Sequence, residues 1–125
     1  MKQRYSRNYY PPSPVLEVRL AVPNGERVGP LPALVDTGAD GTLVPLEYLL
    51  DILAPSTDEA LMRSQWGEGR LVHLYLVDVE INGDTLPGLE VVGDEMTREI
   101  ILGRDVLNKL NLVLDGPQEM VEVLT

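Results

Sequence analysis

The chain has no cysteine and no phenylalanine, and only one histidine and one tryptophan. Without thiols there are no disulfides, no thiol nucleophile and no thiolate metal site, an absence that fits a cytoplasmic protein. Basic residues are also scarce. Ten Lys and Arg face twenty Asp and Glu, for a formal net charge of −10. That balance argues against a nucleic-acid partner, whose phosphates need Lys and Arg, and against an anionic membrane surface. No apolar run approaches the length of a bilayer span, and no signal-peptide core follows Met1. His73 sits mid-strand with no Cys partner and no Gly-x-Ser-x-Gly in the chain, and reads as structural. What remains is the composition of an ordinary soluble globular chain. The 125 residues suit one domain burying roughly two-thirds of its unfolded surface.

Two regions are expected. Residues 1–14 are basic, polar and proline-rich, and read as a flexible N-terminal arm, able to dock on its own domain or on a partner subunit. Residues 15–125 form the domain. Val15 to Val22 alternates as a strand, and Asn24-Gly25 is a hairpin-type turn. Gly29 to Pro32 reads as a break before Ala33-Leu34-Val35, a short buried strand. Leu46, Leu49, Leu50 and Leu53 have helical spacing behind Pro45 and predict a short helix with an apolar, core-facing stripe. Ala54 to Ala60 reads as a polar connection. Leu71 to Ile81 and Leu86 to Val92 read as strands around Asn82-Gly83-Asp84. Asp105 to Leu110 reads as a second short helix, and Leu112 to Leu124 as a closing hairpin. The order strand, turn, strand, helix occurs twice, with Gly38-Ala39-Asp40 and Gly103-Arg104-Asp105 at matching places. The pattern predicts a mainly β fold with internal pseudo-two-fold symmetry, an antiparallel barrel or sandwich with one or two short helices.

The most informative stretch is Ala33-Leu34-Val35-Asp36-Thr37-Gly38-Ala39-Asp40-Gly41-Thr42. A carboxylate directly after an apolar run, on a turn whose glycine lets the backbone fold back beside it, is a candidate for acid–base chemistry. The stretch resembles the active-site loop of aspartic proteases, and its Asp-Thr-Gly-Ala-Asp form is similar to that of the retropepsins. Ile100-Ile101-Leu102-Gly103-Arg104-Asp105 resembles the second retropepsin motif, two apolar residues, Gly and Arg opening the C-terminal helix. The two motifs stand in the family's order, and the resemblance covers roughly residues 15–125. It implies an all-β acid-protease half, a closed barrel, in the bacterial or cellular single-domain form.

The resemblance also implies roles. Asp36 is the catalytic carboxylate, and Thr37, Gly38 and Ala39 complete the active-site loop. Arg104 pairs with Asp40, a partly buried ion pair bracing that loop. A glycine-bearing flap covers the cleft, here Ser64 to Arg70, with Trp66, Gly67 and Gly69 against substrate. Trp66 also admits a core reading. The charged, indole-bearing tip and the longer closing hairpin depart from viral forms. Asp-Thr-Gly occurs once, whereas the chemistry uses two carboxylates sharing one proton. A homodimer supplies the second. The implied activity is that of an aspartic endopeptidase acting on an extended peptide or protein substrate, with no metal and no cofactor.

Two rivals stand beside it. Asp36, Asp40 and Glu47 fall at positions one, five and twelve of an EF-hand loop, with Gly41 at six. Gly38 at position three has no ligand oxygen, and Pro30, Pro32 and Pro45 oppose the helices and loop an EF-hand needs. The other rival is a catalytically inactive peptide-binding domain on the acid-protease fold, since a fold does not fix a function.

Overall fold

The computed structural model describes residues 1–23, 25–63 and 67–124. Ten strands and two short helices follow in chain order: β1 (Lys2–Arg4), β2 (Val15–Ala21), β3 (Arg27–Val35), β4 (Leu43–Pro45), α1 (Leu46–Asp51), β5 (Ser56–Arg63), β6 (Gly69–Ile81), β7 (Asp84–Asp94), β8 (Ile100–Leu102), α2 (Arg104–Leu107), β9 (Asn111–Asp115) and β10 (Met120–Leu124). The main sheet runs β2-β3-β8-β4-β7-β6-β5, and a further pairing of β2 with β6 closes it into a barrel with β5 outside the ring. A smaller sheet, β1-β10-β9, stands beside it.

Period-two alternation explains the ring. Leu16, Val18 and Leu20 of β2 turn inward against Val77, Val79 and Ile81 of β6 and Val91 of β7, all buried. Each such side chain contributes about 1.5–3 kcal/mol of burial free energy. The β6–β7 hairpin turns at Asn82-Gly83, both with positive φ, as a two-residue hairpin turn requires. Strands β3 and β8 pair in parallel, Ala33 to Val35 against Ile100 to Leu102, and β4 pairs in parallel with β7. The two apolar strands of the internal repeat therefore lie side by side at the centre.

The N-terminal arm lies against the domain. Its residues 2–4 pair with β10, Tyr5 N donates to Glu119 O at 2.8 Å, and Val35 N donates to Pro14 O at 3.0 Å. The prolines stand at 11, 12 and 14, so residues 1–10 keep the N–H groups that pairing needs. The Tyr9 hydroxyl also donates to Glu99. Gly29 to Pro32 is no break: β3 runs through it, with β2 alone beside this stretch and a register shift between Val18 and Leu20 absorbing the irregularity. The connection expected from Ala54 to Ala60 contains most of β5, which lies at the sheet edge and is exposed along its polar half. In α1 only Leu49 is buried. Leu50 and Leu53 are 57% and 81% exposed; the helix stops at Asp51, so Leu53, with a φ of 56°, lies outside it. No helix among the described residues is long and apolar enough to cross a membrane.

Candidate active site

β3 delivers Asp36 to its C-terminal end, where the chain turns out of the barrel. Asp36 N donates to Leu102 O at 3.1 Å, continuing the parallel ladder by one residue. The chain then reverses, with Ala39 N donating to Asp36 O at 3.2 Å. Gly38 N donates to Asp36 Oδ1 at 2.9 Å, which fixes the carboxylate over the turn. A Cβ at Gly38 would stand 3.3 Å from that oxygen, so glycine leaves the carboxylate room. Asp36 is half-buried, while Thr37 and Gly38 face solvent.

The second repeat holds this loop from behind. Arg104 N donates to Ala39 O at 2.9 Å, and Arg104 Nη1 donates to Thr37 O at 2.9 Å. Its other amino group donates to Asp40. That ion pair lies on the surface rather than being partly buried, with the Asp40 side chain 92% exposed and that of Arg104 46%.

The buried brace is a different pair, which the sequence reading did not single out. Thr42, fully buried, donates through Oγ1 to Asp105 Oδ1 at 2.7 Å and through its backbone N to Asp105 Oδ2 at 3.1 Å. Gly103 N in turn donates to Thr42 Oγ1 at 3.1 Å, and Val106 N donates to Asp105 Oδ1 at 2.8 Å. Gly103 itself lies so close that a Cβ would meet Gly41 C and O at 2.5 Å, which no larger residue tolerates. The available signal was the repeat, which sets Asp105 at the same place as Asp40.

In front of the loop lies a cleft of about 500 Å³. Its floor is Gly38 to Gly41 with Leu43 and Val92, and its roof is the β5–β6 hairpin, which contributes Ala60, Leu61, Met62, Arg63 and Val72. Close to its turn, where Arg70 stands opposite Met62, the hairpin is tied to β7: Arg70 Nη2 donates to the buried Asp94 Oδ1 at 2.7 Å. Gly67 has a φ of 83° and Gly69 opens β6 opposite Arg63. Trp66, expected at the hairpin tip, lies outside the described residues.

The fold has known counterparts. A retropepsin-like aspartic protease from Rickettsia conorii is similar at a TM-score of 0.64 and 14% identity, over 100% of this chain and 92% of that one. The EIAV protease, solved with the inhibitor HBY-793, is similar at 0.59 and 19% identity, over 78% of this chain and 86% of that one. The retroviral protease-like domain of Ddi1 from Leishmania major is similar at 0.52 and 19% identity, over 87% of each chain. No family model matches the chain, and no curated protein matches it by sequence. The barrel with its parallel central strands, two short helices and overhanging hairpin is a retropepsin-like fold.

Proposed function

We propose that this chain is an aspartic endopeptidase that works as a homodimer. The observation that carries the reading is the Asp36-Thr37-Gly38 turn, held on a retropepsin-like fold beside a cleft roofed by a hairpin. Each protomer contributes one Asp36. Within the protomer Gly38 N donates to that carboxylate, and Asp-Thr-Gly occurs once in the chain, which supports a site completed by a second copy. Two such carboxylates share one proton. The ionised one removes a proton from a water held between them, and the protonated one donates to the carbonyl oxygen as the water adds. Collapse of the tetrahedral adduct returns a proton to the leaving amine and breaks the peptide bond. Thr37 turns its hydroxyl toward the two-fold axis and bonds across it. Asp40 and Arg104 hold the loop from its solvent side, through Thr37 O. The substrate lies extended between loop and hairpin, with apolar side chains beside the scissile bond against Leu43, Val72 and Val92.

The test is digestion of an unfolded protein by wild type and by Asp36→Asn across a range of protein concentrations. Turnover per chain is expected to rise with concentration until the dimer saturates, and to vanish in Asp36→Asn with the fold retained. Cleavage that survives Asp36→Asn moves the chemistry elsewhere. Peptide binding without cleavage leaves the inactive binding domain as the function.

A further inference from the structure

Arg63 is the last residue of β5 and stands on the rim of the cleft. Its cross-strand partner is Gly69, which presents no side chain to it. A Cβ on Gly69 would lie 3.0 Å from Leu61 Cδ1, so Leu61 occupies the space beside that glycine. The neighbouring cations are committed: Arg104 to Asp40 and Arg70 to Asp94. Among the described residues no carboxylate lies within ion-pair distance of Arg63. That includes Glu68, which shares a shallow depression with it on the same hairpin. The wall beneath is apolar, made of Leu43, Met62, Val72 and Val92. The cleft therefore joins an apolar surface to Asp40, which Arg104 pairs, and to a guanidinium with no ion-pair partner among the described residues.

We propose that Arg63 selects peptides carrying an Asp or Glu side chain two positions from an apolar one. The proposal rests on the endopeptidase reading and names its substrate class. An extended peptide turns alternate side chains to the same wall, so residues two apart share this cavity. A guanidinium takes a carboxylate through a two-pronged, charge-assisted pair, and an amide of the same size does not match it. The net charge of −10 repels an acidic peptide at a distance. Screening over about 8 Å at physiological salt limits that repulsion. The selection then arises on contact and survives in salt.

The experiment is a peptide-library digest at neutral pH with wild type, Arg63→Ala, Arg63→Glu and Asp36→Asn. Wild type is expected to cut peptides enriched in Asp or Glu at one fixed position, two residues from an apolar one. Their kcat/KM should exceed that of the Asn or Gln counterparts by about tenfold, the scale of a hydrogen bond to a charged group. Arg63→Ala should bring the two near parity, and Arg63→Glu should invert the preference toward Lys and Arg. Cleavage that depends on Asp36 but shows no acidic preference, or a preference unmoved in Arg63→Glu, overturns this proposal and leaves the endopeptidase reading standing. The parallel measurement is fluorescence anisotropy of labelled acidic and amide peptides. Acid-selective binding that Arg63→Glu removes, with no cleavage by any variant, keeps the selection and removes the hydrolysis. Equal or absent binding with no cleavage removes both.

Discussion

Thr42 and Asp105 hold each other through two hydrogen bonds, from hydroxyl and backbone N–H to the two carboxylate oxygens, at 2.7 and 3.1 Å. The pair joins the loop after Asp36 to the first turn of α2. Thr42 is fully buried, so the groups it satisfies have no water to turn to.

Thr42→Val keeps the shape and removes the hydroxyl, stranding Gly103 N and leaving Asp105 Oδ1 with the Val106 N–H alone. We expect a loss of about 1–3 kcal/mol, the cost of leaving a buried polar group unpaired. Urea unfolding of Thr42→Val, Asp105→Asn and the double variant should show strong non-additivity, because both single changes break one unit. Additive losses would mean that the two residues do not act together.

The Arg104–Asp40 pair should behave differently. It is exposed, so Asp40→Ala should cost less than about 1 kcal/mol. Arg104→Ala should cost more, because it also removes the bond to Thr37 O. Equal losses from the two variants would show that the bond to Thr37 O contributes nothing.

Tyr9 sets a pH limit on the docked arm. Partial burial, the hydrogen bond to Glu99 and the charge of that carboxylate push its hydroxyl up from 10.0 to about 12. The folded state then holds the phenolic proton more tightly than the unfolded state does. That stabilisation is fully present below pH 10 and is lost as pH rises toward 12. Unfolding free energy measured across this window should fall more steeply in wild type than in Tyr9→Phe. Absorbance at tyrosinate wavelengths should show one late titration that Tyr9→Phe removes. Parallel stability curves for the two proteins would rule out the coupling.

The sequence carried the barrel where alternation was strong. β2 and β6 follow from alternating runs such as Val15 to Ala21, β8 from the short apolar run Ile100 to Leu102, and the turn at Asn82-Gly83 follows from its residue types. β5 was not legible because its polar half, Ser56 to Glu59, is exposed and joins the sheet through backbone bonds that leave no apolar pattern. Leu50 and Leu53 had the right spacing for a core stripe, but spacing does not say where a helix stops. At the site, the turn around Asp36 and the contact of Arg104 with Asp40 were accessible through the two motifs. The exposure of that pair was not, since burial depends on what else packs nearby. Thr42 and Asp105 were hidden for another reason: each is unremarkable alone, and they meet across 63 residues of chain.

The braces of the Asp36 loop have a consequence for how the protein is made. Its contacts from Gly103, Arg104 and Asp105 span 61 to 67 residues. A nascent chain carries Asp36 long before it carries the residues that hold it. Such long-range closure is slow, because loop entropy is lost before the contacts form. During synthesis the Asp36 turn has neither its parallel neighbour β8 nor Asp105, the partner of its buried Thr42. An unfinished chain thus has no shaped Asp36 turn to present to the chains being made around it. The order of translation itself delays the shaping of the Asp36 turn until the barrel is closed.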